Sequence, residues 1–233
     1  MSKIAVISAL ERELVPLMER FNAENDNTWV EVGEAVYRSP AFGHEIFCSA
    51  VGIGKVNAAY RTAEIIRDYG PQLIVNIGYA GGMKADARRG DIIIGDSYVQ
   101  ADFDSVIDGC PPGVVPGAKP DIVPADFLAA LEKQCAAYGY RYETGRIATG
   151  DFFLTDSVRK AAIVKAFSPL AFDMESAAIA HVCAQKEIPF VAIRVLSDLA
   201  DDDAQTAFSS MSDPIEYRPV NVLLGALENF KGL

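Results

Sequence analysis

Apolar residues along the chain follow two different spacings. Short runs rich in Val, Ile and Ala are typical of buried parallel strands, whereas apolar residues three or four positions apart are typical of helices packed on one face. The predicted strands cover residues 4–8, 73–77, 91–99, 145–149, 171–174 and 190–196. The predicted helices cover residues 13–21, 55–69, 125–138, 156–167, 175–186 and 214–230. Strands and helices therefore alternate over most of the chain.

Gly and Pro residues predict the connections. Strand-like runs on both sides of Gly43 and His44 predict a hairpin over residues 36–51. Small residues predict a turn at 78–82, and the prolines and glycines of residues 110–124 predict a long loop of the kind that often covers a binding site. Pro16 lies within the first predicted helix, so we expect either that it belongs to the first turn or that the helix begins later.

Repeated strand–helix units are typical of an α/β fold in which right-handed crossovers join parallel strands. No internal repeat, low-complexity tract or linker interrupts the pattern between residues 4 and 230. We therefore predict a single domain over residues 1–233. Its expected architecture is a three-layer fold with a central mixed, mostly parallel sheet flanked by helices.

The composition of the chain indicates its general class and the kinds of partner it can bind. Hydrophobic residues make up 50% of the chain and charged residues 23%, which is typical of a globular protein with a sizeable core. The net charge of −11 argues against nucleic acid or an anionic membrane as a partner. The four cysteines contain no CxxC pair, so we expect a reduced, cytoplasmic protein. The N-terminal apolar run is too short for a signal peptide or a membrane span.

Acidic residues follow several predicted strands. In open α/β sheets ligands bind beyond the carboxyl ends of the strands, so these acids are expected to converge on one rim. They are Glu11, Glu13, Asp151, Asp173, Glu175 and Asp198. A rim with many acids and few bases suits a cationic transition state, such as the oxocarbenium ion of glycosidic bond cleavage.

Four of these acids also have a simpler interpretation. Glu11, Glu13 and Glu175 could be acids that favour a helix N-terminus, and Asp198 could be a helix cap or turn residue. The sequence GIGK at residues 52–55 resembles a phosphate loop only loosely, and an ordinary close backbone approach explains it equally well. His44 and His181 have no partner at the spacing of a metal site or a catalytic triad, so no metal and no cofactor are expected.

Six segments together resemble the 5′-methylthioadenosine/S-adenosylhomocysteine nucleosidases of the nucleoside phosphorylase superfamily. They are ISALERE (7–13), GIGKV (52–56), AGG (80–82), TGDFF (149–153), DMESAAIAHVC (173–183) and RVLSD (194–198). The resemblance covers nearly the whole chain, and the order and spacing of the segments make it specific. It implies a nucleoside phosphorylase-like fold and a small-molecule nucleoside substrate.

The resemblance also implies roles for individual residues. Asp198 is expected to be the general acid that protonates N7 of adenine, and Glu13 the base that deprotonates the attacking water. Glu175 is expected to accept hydrogen bonds from the ribose 2′ and 3′ hydroxyls. The remaining expected contacts are Met174 under the sugar, Phe153 stacked on the base, the Leu154 backbone at the adenine edge, and Ile53, Tyr79, Asp173 and Arg194 as further substrate-binding residues.

The resemblance further implies a homodimer in which the loop at 110–124 completes the neighbour's 5′ pocket. Phosphorolytic relatives carry arginines that clamp phosphate where this chain has Glu11, Arg12 and Glu13, and carboxylates there repel phosphate. The alternatives are a futalosine-type nucleoside hydrolase, a phosphate-dependent purine nucleoside phosphorylase and a non-catalytic nucleoside-binding protein.

The chain departs from the family pattern at two positions. Tyr79 stands where a small residue is common, and Asp108 stands where an aromatic residue is expected to line the alkylthio pocket. A carboxylate beside a thioether loses hydration without gaining a partner. We therefore expect a 5′ preference shifted toward smaller or more polar substituents.

Overall fold

The computed structural model describes residues 1–25, 29–210 and 214–232. The strands are β1 (Lys3–Ser8), β2 (Val30–Gly33), β3 (Val36–Ala41), β4 (His44–Ala50), β5 (Leu73–Gly82), β6 (Ile92–Gln100), β7 (Tyr142–Thr149), β8 (Ala171–Asp173) and β9 (Phe190–Asp198). The helices are α1 (Glu11–Asn25), α2 (Lys55–Tyr69), α3 (Ala125–Ala137), α4 (Ser157–Phe167), α5 (Ser176–Gln185), α6 (Ala204–Ser209) and α7 (Tyr217–Asn229). A single 3-10 turn covers Val106–Asp108.

The strands form one mixed sheet in the order β2-β3-β4-β1-β5-β8-β7-β6-β9. An additional parallel pairing joins β9 back to β5, so five strands close into a ring while β1 to β4 remain an open extension. In the described chain the parallel pairs are β1–β4, β1–β5, β5–β9, β6–β7 and β7–β8, against four antiparallel pairs. The predicted mixed, mostly parallel sheet is confirmed.

Helices cover both faces of the sheet, which gives the predicted three layers. On β1, Ile4 and Val6 join one buried cluster with side chains of α1, α3 and α7. Ala5 and Ile7 point the other way into a second cluster with side chains of α2 and α5. This alternation follows from the two-residue side-chain period of a strand. Because both faces are buried, β1 reads as a continuous apolar run.

The predicted turn at residues 78–82 is wrong, because β5 continues through it to Gly82. The small residues allow the strand to bend rather than end: Gly78 has a positive φ of 148°, and the β5–β9 register shifts between Ala80 and Gly81. Pairing with β9 and β8 satisfies the backbone there. The extended strand carries residues 78–82 to the rim of the ring.

Among the other predictions of local structure, one was confirmed, one was wrong and two short elements were missed. The hairpin at 36–51 is confirmed as β3 and β4, joined at Phe42 and Gly43, both with positive φ. Pro16 lies inside α1, beyond its first turn, and α1 begins earlier than predicted, at Glu11, so both alternatives expected for Pro16 are wrong. The strand β2 and helix α6 were missed because both are short. No helix within the described residues is long and apolar enough to cross a membrane.

Candidate active site

A cavity of about 720 Å³ opens at the carboxyl ends of β1, β5, β7, β8 and β9. Its wall comes from separate parts of the chain, as expected for ligand sites in α/β sheets. The lining residues are Ala9, Leu10, Glu11, Arg12, Glu13, Ile53, Tyr79, Ala80, Gly81, Phe152, Phe153, Leu154, Phe172, Asp173, Met174, Glu175, Ser197, Asp198, Ala200 and Phe208. Nine of the ten residues predicted for the site therefore meet at one place.

Glu13 lies in the first turn of α1 and is buried. Its Oε2 accepts a hydrogen bond from the Leu10 backbone N–H at 2.8 Å, the reciprocal contact of a capping box. Its Oε1 accepts one from the Tyr79 N–H at 2.9 Å. Burial raises the pKa of Glu13, and the nearby Arg194 guanidinium opposes that rise. The helix-capping interpretation and the functional one are therefore compatible, because one carboxylate caps α1 and faces the cavity.

Gly78 makes the place of Glu13 possible. It pairs with Arg194 across the β5–β9 ladder. A Cβ at this position would collide with Oε1 of Glu13 and lie 2.7 Å from Nη1 of Arg194. Glycine is therefore required both by its φ and by the close approach of two charged side chains.

Asp198 ends β9, lines the cavity and is 4% exposed. Its Oδ1 accepts a hydrogen bond from the Ala200 N–H at 2.8 Å, and its Oδ2 accepts one from the Ser197 hydroxyl at 2.7 Å. Burial raises its pKa, and Asp201 adds to that rise. The carboxyl group is therefore fixed in orientation and biased toward its protonated form.

Lys160 of α4 was missed by the sequence analysis. Its ammonium group donates a hydrogen bond to the carbonyl of Leu199, next to Asp198. Its charge lowers the pKa of Asp198, against the larger effect of burial. No local motif signals this contact, because it joins residues 39 positions apart.

Glu175 precedes α5 and binds the loop that begins α2. Its Oε1 accepts a hydrogen bond from the Gly54 N–H at 3.0 Å, and its Oε2 lies 3.6 Å from Nη2 of Arg194. Burial raises the pKa of Glu175 to about 7, while Arg194 acts in the opposite direction. The residues 52–55 thus form no phosphate loop here, since the Gly54 N–H is occupied by a carboxylate.

Arg194 is fully buried and lies behind the residues that line the cavity. This position does not agree with the direct substrate contact that was predicted for it. Its Nε donates to Oδ2 of Asp173 at 2.9 Å, and its Nη2 lies 2.7 Å from the same oxygen. Asp173 also accepts hydrogen bonds from Thr149 and Ser176. The Arg194–Asp173 pair is thus a buried charge centre that contacts Glu175 and whose guanidinium acts electrostatically on Glu13.

Apolar side chains line the space between the acids. Leu154 is buried, Met174 is half-buried, and Phe153 and Ile53 are exposed at the rim. All four were predicted from the resemblance. Such walls suit a flat ring system, since aromatic rings stack on planar π-systems.

Phe208, on α6, is a lining residue that the sequence analysis missed. Its ring lies 5.7 Å from that of Tyr79 at an interplanar angle of 90°, and 5.8 Å from that of Phe153. The Arg12 guanidinium lies 4.8 Å from the Phe208 ring and 5.6 Å from the Tyr79 ring. In the sequence, Phe208 is a lone aromatic residue after the acidic run 201–203. That pattern on its own predicts only a loop.

Asp108 does not line the cavity of its own chain. It ends the 3-10 turn, is exposed, and accepts a hydrogen bond from the Ser105 hydroxyl at 2.6 Å. The expectation that Asp108 replaces an apolar contact within this pocket is therefore wrong for the isolated chain. The exposed charged residues that line the pocket are Glu11 and Arg12.

Comparisons with known proteins agree with this geometry. The model of the phosphorylase superfamily matches residues 3–216. The 5′-methylthioadenosine/S-adenosylhomocysteine nucleosidase of Bacillus thuringiensis subsp. konkukian (strain 97-27) is 36% identical over 232 residues, covering 98% of this chain and all of that protein.

Solved structures show the same fold. The Neisseria meningitidis 5′-methylthioadenosine/S-adenosylhomocysteine nucleosidase in complex with methylthio-immucillin-A superposes with a TM-score of 0.90 at 32% identity, covering 99% of this chain and 100% of that one. The Streptococcus pyogenes S-adenosylhomocysteine nucleosidase in complex with 5-methylthiotubericidin superposes with a TM-score of 0.90 at 30% identity, covering 98% and 97%.

Proposed function

We propose that this chain, which belongs to the 5′-methylthioadenosine/S-adenosylhomocysteine nucleosidases of the phosphorylase superfamily, hydrolyses the N-glycosidic bond of 5′-methylthioadenosine and S-adenosylhomocysteine. The products are adenine and the 5-thioribose compound. The observation that carries the proposal is one cavity in which three buried carboxyl groups, Glu13, Glu175 and Asp198, are each held in a different environment, while a fourth, Asp173, is paired with Arg194.

Asp198 acts as the general acid. Its raised pKa favours the protonated form that must deliver a proton to N7 of adenine. The hydrogen bonds from Ala200 and Ser197 hold the carboxyl group in place, so no reorientation is needed in the transition state. Once protonated, adenine leaves as a neutral molecule and the ribosyl centre becomes cationic.

Glu13 acts as the base for the attacking water. Its carboxylate also stabilises the cationic ribosyl centre electrostatically. Arg194 supports this role, because its guanidinium opposes the rise in pKa that burial imposes on Glu13. The water attacks the face of the sugar opposite to the departing base.

Glu175 accepts hydrogen bonds from the 2′ and 3′ hydroxyls of ribose, and Met174 packs under the sugar. Phe153 stacks on adenine and the Leu154 backbone meets its edge. Asp173 and Arg194 act as positioning residues, because their polar atoms bond to each other and to Thr149 and Ser176.

The cavity favours water over phosphate as the nucleophile. The Leu10 and Tyr79 N–H groups, which could bind an anion, are already bonded to Glu13. The buried cation Arg194 is paired with Asp173 and Glu175. A phosphate ion placed beside Glu13 would therefore meet a negative charge without free backbone donors.

The deciding experiment measures adenine release from 5′-methylthioadenosine with and without phosphate, in the wild type and in Glu13→Gln. We expect equal wild-type rates in both buffers, a free thioribose product, and a loss of about 10²-fold or more in Glu13→Gln. Glu228→Gln, at an exposed position of α7 outside the cavity, serves as the charge-matched control. Formation of a ribose-1-phosphate that requires phosphate would make the protein a phosphorylase instead.

We also propose a homodimer whose interface lies beside the cavity. Val56 and Tyr60 are 77% and 65% exposed, and their spacing puts them on one face of α2, directly after the cavity residue Ile53. Ile107 and Val114 add exposed apolar surface in the long connection after β6. A Val56→Glu/Tyr60→Glu variant is expected to sediment as a monomer, whereas Arg67→Glu at the far end of α2 should not change the oligomeric state.

The four free cysteines, three of them buried, support a reduced compartment, and we propose the cytoplasm. We also propose that the reaction belongs to methionine salvage. Measurement of thiol content after purification without reductant tests whether the cysteines are reduced. The expected result is four titratable thiols in the denatured protein.

A further inference from the structure

The mouth of the cavity carries one positive charge in an otherwise acidic wall. Among the lining residues that the structure describes, Arg12 is the one basic residue. The acidic ones are Glu11, Glu13, Asp173, Glu175 and Asp198. Arg12 is exposed, whereas Glu13 beside it is buried. The cation therefore faces the entrance rather than the reacting centre.

The Arg12 guanidinium sits in the corner between two aromatic rings. Tyr79 and Phe208 stand at 90° to each other, and Cζ of Arg12 lies 5.6 Å and 4.8 Å from their centroids. Ring faces attract the cation without supplying a carboxylate or carbonyl acceptor. Within residues 1–25, 29–210 and 214–232, no hydrogen bond or salt bridge engages its guanidinium, so its N–H donors remain available to a ligand.

The proposed binding mode leaves this corner for the 5′ substituent. The base is assigned to Phe153, Leu154 and Asp198, and the ribose to Glu13 and Glu175. Several lining residues have no assigned contact with the base or the ribose. They include Leu10, Ile53, Arg12, Tyr79 and Phe208. An apolar chain leaving the ribose 5′ carbon would cross Leu10 and Ile53 and end at the guanidinium.

We propose that Arg12, held by Tyr79 and Phe208, is a specificity residue that binds a carboxylate at the end of the 5′ substituent. The inference rests on the proposed function, because it names the tail that the same nucleoside site prefers. A planar guanidinium matches a carboxylate through two parallel N–H···O bonds. Neutral short tails such as a methylthio group fill the apolar part and leave Arg12 solvated.

The surrounding charges make this preference depend on Arg12. The chain has a net charge of −11, and the rest of the charged lining is acidic. Without Arg12, a carboxylate at the mouth would meet Glu11 and the field of the buried acids. Removal of the guanidinium therefore turns a favourable site for an anionic tail into an unfavourable one.

The test compares two substrates that differ only in charge: 5′-(3-carboxypropylthio)-5′-deoxyadenosine and its carboxamide. In the wild type we expect kcat/KM to be about fivefold higher for the carboxylate, the upper range for a solvent-accessible ion pair. In Arg12→Gln the ratio should fall to one or below, and in Arg12→Lys it should be intermediate. High salt should lower the wild-type ratio toward one. Arg67→Gln changes the net charge equally but lies outside the cavity, so its ratio should equal that of the wild type.

The ratio cancels any general loss of activity in a variant. A wild-type ratio of one, or a ratio unchanged in Arg12→Gln, would overturn the inference even if 5′-methylthioadenosine is hydrolysed. Phosphate-stimulated adenine release that disappears in Arg12→Gln would also overturn it, because Arg12 would then serve a phosphate ion. Absence of adenine release from 5′-methylthioadenosine in the wild type is a different result, which rejects the proposed function itself.

Discussion

The inner end of the cavity and its mouth are built from different interactions. At the inner end, Glu13, Glu175 and Asp198 are at most 5% exposed, and each accepts at least one backbone N–H. At the mouth, Phe153 is 46% exposed, and Arg12 and Phe208 are held by ring contacts. Backbone donors fix an orientation, whereas ring contacts tolerate rearrangement. Chemistry therefore belongs to the rigid end, and substrate preference to the adjustable one.

Burial of charge has a cost that the mouth avoids. Desolvation raises the pKa of all three inner carboxyl groups. For Glu13 and Glu175, the buried Arg194 guanidinium offsets part of this cost, whereas the Asp173 carboxylate raises the pKa of Glu175 further. The inner end should thus lose much activity or stability on substitution, and the mouth little. The following experiments test that difference, beginning with the largest expected effect.

Asp198→Asn should lower turnover by about 10²–10⁴-fold, because an amide cannot donate the proton. The same variant should be at least as stable as the wild type at neutral pH. Since burial raises the folded-state pKa of Asp198, the wild type loses stability as pH rises through the carboxyl range, and the amide does not. Adenine release and thermal unfolding, measured from acid to neutral pH, check both statements. A turnover close to wild type would remove Asp198 from the mechanism.

Arg194→Met should destabilise the protein by about 3–5 kcal/mol, because it leaves Asp173 and Glu175 buried without their cation. The pKa of Glu13 and Glu175 should rise further, which shifts the acid limb of the activity profile to higher pH. Denaturant unfolding gives the first quantity and a pH–rate profile the second. Arg67→Met on the exposed end of α2 is the control and should leave both unchanged. An unshifted profile would show that Arg194 acts through packing alone.

Glu175→Gln should lower kcat/KM at neutral pH by about 10- to 100-fold, the effect of losing hydrogen bonds to a charged acceptor. In the wild type, kcat/KM should rise with pH through about 7, where Glu175 ionises and can accept from both ribose hydroxyls. The variant should lack that part of the rise and keep the part due to Glu13. Identical profiles for the two proteins would place the ribose contact elsewhere.

Phe208→Leu at the mouth should raise KM for 5′-methylthioadenosine a few-fold with little change in kcat. An aromatic pair contributes about 0.5–1.5 kcal/mol beyond the area it buries, and Leu keeps most of that area. Steady-state kinetics with Phe208→Tyr as the matched control, which keeps the ring, should separate the two effects. If kcat falls as it does in Asp198→Asn, Phe208 belongs functionally to the inner end.

The sequence analysis predicted which residues share the cavity better than it predicted how the strands pair. Glu13, Glu175, Asp198 and their apolar neighbours follow strand ends, and parallel strands bring such ends together. The closure of β5 onto β9 was not predicted, because pairing between strands more than a hundred residues apart leaves no local periodicity. The extension of β5 through residues 78–82 was missed for the same reason, since glycines there read as a turn without knowledge of their partners.

Positions within the site divide in a similar way. The motifs around Asp173 and Arg194 predicted two residues at the site, but only the fold shows that Arg194 lies behind the wall and binds Asp173 there. Asp108 was expected in the pocket and lies outside it. Phe208 was overlooked because α6 has only six residues and no periodicity.

The sequence by itself determined the alternation of strands and helices, the acids at the strand ends and the family to which the chain is similar. These depend on local spacing and on motifs, which a single chain displays directly. The tertiary structure decided which acids share a cavity, which are neutralised by Arg194 and where Arg12 points. Those properties depend on burial and on contacts between distant residues. Shifted pKa values and charge compensation arise only when folding has brought these residues together.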